Sequence, residues 1–190
     1  MDGALSKNHR SLKREPFLTP IWLAAIAAAV VVSFASWLWS TANSTTVIVI
    51  RHAEKALNAG ADPPLDAAGA ARAELLARMF GDPRAPGKLD AIYVSPALRN
   101  RQTAAPLAAR LGIVPVVVPA DDPRGLARRA LHEHDGGRSL IIGHSDTVPE
   151  IVAALSGQAP IPAIGDLEYG TMYVVTVPRV GRSIVLRLNY

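Results

Sequence analysis

Four short runs rich in β-branched residues, Thr46–Ile50, Ala91–Val94, Ile113–Val118 and Ser139–Ile142, alternate along the chain with segments of helical pattern. A short continuous apolar run suits a strand covered on both faces. Asp66 can cap a helix that reaches about Phe80, with Gly81 as its stop. That helix sets Leu75, Leu76, Met79 and Phe80 on an apolar side and Arg72, Glu74 and Arg78 on a wet one. A second helix runs from beyond Pro96 to about Leu111, closed by Gly112, and a third from Gly125 to about His134. Pro149 suits the first turn of a fourth, which Gly157 ends. Thr171–Val177 and Ser183–Leu188 are two more strands, joined closely enough for a hairpin. This alternation predicts an α/β fold: a three-layer αβα sandwich with a mostly parallel central sheet and a C-terminal antiparallel hairpin. The Pro-rich stretch Gln158–Gly165 is expected to lie over the surface.

The alternating part occupies 46–190, large enough to bury its own core. Ahead of it, Phe17–Ser40 carries no charge for about two dozen residues, enough for a helix to cross a membrane. Trp22 lies near one end of the run, and Trp37 and Trp39 near the other, where indoles favour the interface. Lys7, Arg10, Lys13 and Arg14 precede it, which predicts a cytoplasmic N-terminus with the rest exported. The organisation is therefore a basic tail (1–16), a transmembrane signal-anchor helix (17–40), a linker (41–45) and the α/β domain (46–190). A signal peptide cleaved near Ala42 is the competing reading, since Ser40-Thr41-Ala42 offers small residues.

The formal charge of +4 owes much to the N-terminal tail, and no basic run with interleaved aromatics follows. Nucleic acid is not an expected partner. Cysteine is absent, which excludes disulfides, thiolate metal sites and a cysteine nucleophile. His132 and His134, two apart on a helix, point to different faces, so no metal or other cofactor is expected.

In open α/β sheets, ligands sit beyond the carboxyl ends of the parallel strands. The first strand ends in Arg51 and His52, the second in Ser95 with Arg99 soon after, and the fourth in His144 with Ser145. Singly, each is an ordinary strand-end residue. Together, two arginines and two histidines can converge on one tetrahedral oxyanion. A guanidinium fork matches phosphoryl oxygens and stays charged. A neutral imidazole can attack phosphorus, and a second can stabilise charge on the equatorial oxygens.

The segment "VIRHAEK" resembles the Arg-His-Gly signature of the histidine phosphatase superfamily, branch 1, in the phosphoglycerate-mutase-like clan, with Ala53 in place of glycine. "PLDAAGAARAELLA" is similar to that family's first helix. "VSPALRNRQTA" and "LIIGHSDTVP" resemble its Ser-Pro-x-x-Arg-x-x-Gln-Thr-Ala and Gly-His-Ser-Asn-Thr-x-Pro segments. The resemblance implies that His52 is the nucleophile and that Arg51, Arg99 and His144 complete the phosphate site; Ser95 and Ser145 are candidate substrate-binding hydroxyls, with Ser95 equally suited to starting the next turn. The resemblance also implies a carboxyl that protonates the leaving group. Asp122, in the loop after the third strand, is the first candidate and Asp121 the second, although Asp122 equally suits a helix cap. Asp146 stands where the family has Asn, and an N-cap role is favoured for it. Glu54 is expected to orient the site arginines or assist proton transfer, and Lys55 to draw anions to the rim. Substrate choice is expected in the loops around Ala56–Pro64 and Gln158–Tyr169.

The function these features imply is a metal-independent phosphomonoesterase, a small membrane-anchored or exported bacterial member of the family. It would work through a phosphohistidine on an extracytoplasmic phosphorylated small molecule or glycan. Mutase or protein-phosphohistidine phosphatase activity is the alternative within the family. A noncatalytic, membrane-tethered module that binds phosphate or a partner is the alternative from another class, and a third is regulation of a membrane partner through the uncharged helix, whose Ala24–Ala29 face can pack closely against another helix.

Overall fold

Strands that are apolar on both sides need a helical layer on each side, and the computed structural model has that arrangement. It describes residues 21–57 and 60–190. The basic segment 1–16, residues 17–20 of the apolar run, and Asn58 and Ala59 of the loop around Ala56–Pro64 lie outside the described residues.

The first helix, α1 (Ile21–Ala42), contains no charged residue. Its part Ile21–Trp39 has a mean hydropathy of 2.2 and is long and apolar enough to cross a membrane. Then come β1 (Thr45–Arg51), α2 (Ala67–Phe80), β2 (Ala91–Val94), α3 (Leu98–Leu111), β3 (Val116–Val117) and α4 (Pro123–Glu133). β4 (Arg138–Gly143), α5 (Thr147–Ser156), β5 (Thr171–Val177) and β6 (Ile184–Asn189) complete the order.

The six strands form one sheet in the order β3-β2-β4-β1-β5-β6. The first four are mutually parallel; β5 runs antiparallel to β1, and β6 antiparallel to β5. On one face, Ile48, Ile50, Ile92, Val94, Leu140 and Ile142 pack with Leu76 and Ala77 of α2 and Ala104 and Leu107 of α3. On the other, Val47, Val49, Tyr93 and Ile141 pack with Leu126 and Ala127 of α4 and Ile151 and Val152 of α5. Neighbouring residues of a strand face opposite layers, which is why these strands read as unbroken apolar runs. Register matters for function: Arg51 pairs with Gly143, and Val94 with Ile142, so the carboxyl ends of β1, β4 and β2 are level.

As the sequence predicts, Pro149 lies in the first turn of the fourth helix of the alternation, which starts at Thr147 with Asp146 as its cap. Two expectations need correction. The third strand is only two residues long, because it is the sheet edge, pairs with β2 alone, and leaves Val114 in solvent. The Gln158–Gly165 stretch is not wholly superficial, since Ile164 is buried in the core and Ile161 packs against it. Asp66 caps α2 as the sequence predicts, accepting from the Gly69 amide at 2.8 Å.

Candidate active site

At the level strand ends, a cavity of about 400 Å³ is lined by Arg51, His52, Lys55, Arg99, His144, Ser145, Asp146 and Asp166. Every lining side chain is polar. Arg51 and His52 are themselves buried, at 4% and 3% exposure, and gain their place as the last residue of β1 and the next one.

The two imidazoles have different hydrogen-bond partners, and these fix their tautomers. His52 Nδ1 lies 2.8 Å from the Ala53 carbonyl oxygen. A carbonyl only accepts, so Nδ1 carries the proton and the neutral ring has its lone pair on Nε2. Burial, opposed by that carbonyl bond and reinforced by Arg99 and Arg51, lowers the His52 pKa to about 4. The ring is therefore neutral at pH 7. His144 Nδ1 lies 3.4 Å from an Arg99 Nη2, which can only donate. Its proton is then on Nε2, given to Ser95 Oγ at 2.9 Å. Burial and then Arg99 push the His144 pKa down as well.

The start of α3 joins the strand ends. Asn100, fully buried, donates from Nδ2 to the Ile142 carbonyl at 2.8 Å and to the Gly143 carbonyl at 3.3 Å. Thr103 Oγ1 accepts from the Ala53 amide at 3.0 Å and donates to the Arg99 carbonyl at 2.7 Å. One helical turn thus holds the backbone beside both histidines. Arg99 also faces Asp62 at 3.7 Å, so the loop around Ala56–Pro64 reaches the site through that carboxylate.

Arg51 is held from the opposite side. One of its Nη atoms donates to the carbonyls of Gly165, Asp166 and Glu168 at 2.7, 3.0 and 3.2 Å. Carbonyls orient a guanidinium without cancelling its charge. The Nε atoms of Arg51 and Arg99 are buried with no hydrogen-bond partner, two donors left over on the arginines of this cavity.

Of the residues chosen from sequence, Arg51, His52, Arg99, His144 and Ser145 line the cavity, and Ser95 stands behind it through His144. Asp146 is also on the wall, one carboxylate oxygen accepting from the Thr147 amide. Asp122 and Glu54 are not among the lining residues. Asp122 caps α4, accepting from the Gly125 amide at 2.7 Å, and Asp121 is exposed. Glu54 forks onto Arg72 of α2, with contacts of 2.6, 2.9 and 3.0 Å. Burial would raise its pKa, but the Arg72 bonds outweigh that and hold it below the usual carboxylate range. Sequence reasoning did not single out Asp166, Tyr169, Asn100 or Thr103. The last two sit within the quoted "VSPALRNRQTA" and carried a signal, whereas Asp166 and Tyr169 lie in an aperiodic loop that carried none beyond its position. Among the described residues, no group of three or more His, Cys, Asp or Glu side chains is placed to hold a metal ion.

Residues 47–121 match the family model of the histidine phosphatase superfamily (branch 1). No curated protein matches the sequence. Among solved structures, the protein histidine phosphatase SixA complexed with tungstate is 21% identical, with a TM-score of 0.59, covering 76% of this chain and 96% of that one. A mycobacterial glucosyl-3-phosphoglycerate phosphatase is 15% identical, with a TM-score of 0.60, covering 77% of this chain and 99% of that one. A protein described as mycobacterial hydrolase 2 is 15% identical, with a TM-score of 0.57, covering 75% and 89%. At such identities the likeness is one of fold. The family match spans β1 to the residues after β3, where Arg51, His52 and Arg99 reside, so this part of the chain is similar to the histidine phosphatase superfamily, branch 1.

Proposed function

We propose that the chain is a phosphomonoesterase that works through a phosphohistidine on His52, without a metal. The observation that carries this reading is the His52 tautomer: Nδ1 is committed to the Ala53 carbonyl, so Nε2 has a lone pair for phosphorus in a ring neutral above about pH 4. Arg51 and Arg99 supply the cationic surroundings a phosphoryl dianion needs, and their unmatched Nε donors suit its oxygens. In the first step Nε2 forms a bond to phosphorus and the ester oxygen departs with its electron pair. The arginines, and His144 once its Nε2–H turns from Ser95 to the phosphoryl group, stabilise the charge on the equatorial oxygens. In the second step water attacks the phosphohistidine, releasing inorganic phosphate and restoring the neutral ring. Asp122, Asp121 and Glu54 are not on the cavity wall, whereas Asp146 is, and we assign the leaving-group proton to Asp146.

The all-polar wall favours a hydrophilic alcohol such as a phosphosugar over a lipid or aryl group. Helix α1 supports a single-pass anchor in the cytoplasmic membrane, with the basic tail inside and the phosphatase domain in the periplasm or its equivalent. The deciding experiment is hydrolysis of an aryl phosphate by the full chain in chelator, beside His52→Ala. Activity that survives chelator and vanishes in the variant supports the reading. A folded wild-type chain that neither hydrolyses phosphate esters nor traps acid-labile phosphate sinks it.

A further inference from the structure

The loop between α5 and β5 does more than close the cavity. Its last residue before Gly170, Tyr169, lays its ring 4.3 Å from the Arg51 guanidinium carbon. The same ring stands 6.0 Å from the His52 imidazole, centroid to centroid. Arg51 is thus fixed on two sides, by three carbonyls at one nitrogen and by an aromatic ring.

The loop is itself firmly tied. The Glu168 amide donates back to the Gly165 carbonyl at 2.9 Å, closing a turn that aims the carbonyls at Arg51. The Glu168 carboxylate accepts from Thr171 of β5 and Arg187 of β6, each at 2.6 Å. Ile164 anchors the other end in the core. Tyr169 therefore stands on a fixed base, and its hydroxyl has no hydrogen-bond partner among the described residues. The ring, rather than the hydroxyl, is what touches the site.

We propose that Tyr169 is a positioning residue that holds Arg51 and His52 in the arrangement that receives a phosphoryl group. The inference rests on the phosphatase reading above and extends it to a residue outside the sequence motifs. A guanidinium stacked on a ring keeps its charge while losing freedom to swing toward solvent, and the same ring closes one side of the His52 imidazole.

The test measures affinity for inorganic phosphate and for tungstate, by calorimetry on the full chain with mild detergent, for wild type, Tyr169→Leu and Tyr169→Phe. Leu is expected to weaken both anions about tenfold, a size typical of a partly desolvated cation–π contact. Phe is expected to stay within about twofold of wild type, since it keeps the ring. Steady-state assays should show KM rising in Leu with kcat also reduced, and recovery of both in Phe. Unchanged thermal unfolding of Leu separates this from a general loss of fold, and Tyr169→Met makes the same comparison should the Leu chain not fold. Leu binding phosphate as tightly as wild type overturns the inference, as does Phe binding as weakly as Leu. Phosphate binding without hydrolysis in the wild type overturns the phosphatase reading alone, while absence of binding overturns both.

Discussion

The rings of His52 and His144 stand 5.5 Å apart, centroid to centroid, with their planes at 65°. They sit at the ends of two strands that are hydrogen-bonded neighbours, with Arg51 opposite Gly143 in register. Two imidazoles at that spacing can contact one phosphoryl group from different directions. Both have lowered pKa values, so neither repels the other as a cation at neutral pH.

Different roles predict different losses. His144→Ala removes a donor to the equatorial oxygens but leaves the nucleophile, so kcat should fall about 10²–10³-fold. Phosphohistidine should still form on His52 and be detectable by acid-lability. A variant that loses labelling altogether would make His144 part of the nucleophile's own machinery.

The His52 shift also predicts how stability depends on pH. Unfolded, the ring titrates near 6.5; folded, at about 4. Between those values the unfolded chain binds the extra proton, so stability rises with pH across that window and is lost as the pH falls through it. Urea midpoints measured from pH 7 to pH 4 should fall more steeply in wild type than in His52→Ala. Equal slopes would mean that folding does not hold this ring neutral.

Carboxylate roles separate by leaving group. Asp146→Asn should lower kcat for an alkyl phosphate about 10²-fold, and far less for an aryl phosphate whose oxygen leaves unaided. Asp122→Ala should cost about 1 kcal/mol of stability through loss of the α4 cap, with kcat unchanged on both substrates. The reverse pattern would return the proton to Asp122.

Thr103→Val keeps shape but leaves the buried Ala53 amide without its acceptor. The expected cost is about 1–3 kcal/mol in urea unfolding. Because that amide adjoins His52, kcat should fall as well. A Val chain as stable as wild type would show that the amide finds another partner.

Helix α1 predicts that the full chain stays with membranes through an alkaline carbonate wash, while a chain lacking residues 1–42 remains in solution. A mature chain whose first residue follows Ala42 would instead identify a cleaved signal.

Much of this architecture was legible in the residues themselves. Strand and helix positions follow from local periodicity, and Asp66, Gly112 and Gly157 mark ends through backbone geometry that neighbours alone dictate. Arg51, His52, Arg99 and His144 were legible for a related reason: each falls at or just after the end of a parallel strand, and such ends share one edge. What the tertiary structure decided is where side chains without a local signature find partners. Glu54 meets Arg72 rather than a cavity arginine, and Asp122 turns to its own helix. Arg51 meets carbonyls and an aromatic ring more than a hundred positions away in an aperiodic loop. No spacing rule encodes such a meeting, because it depends on how β5 lies against β1 and how Ile164 is buried.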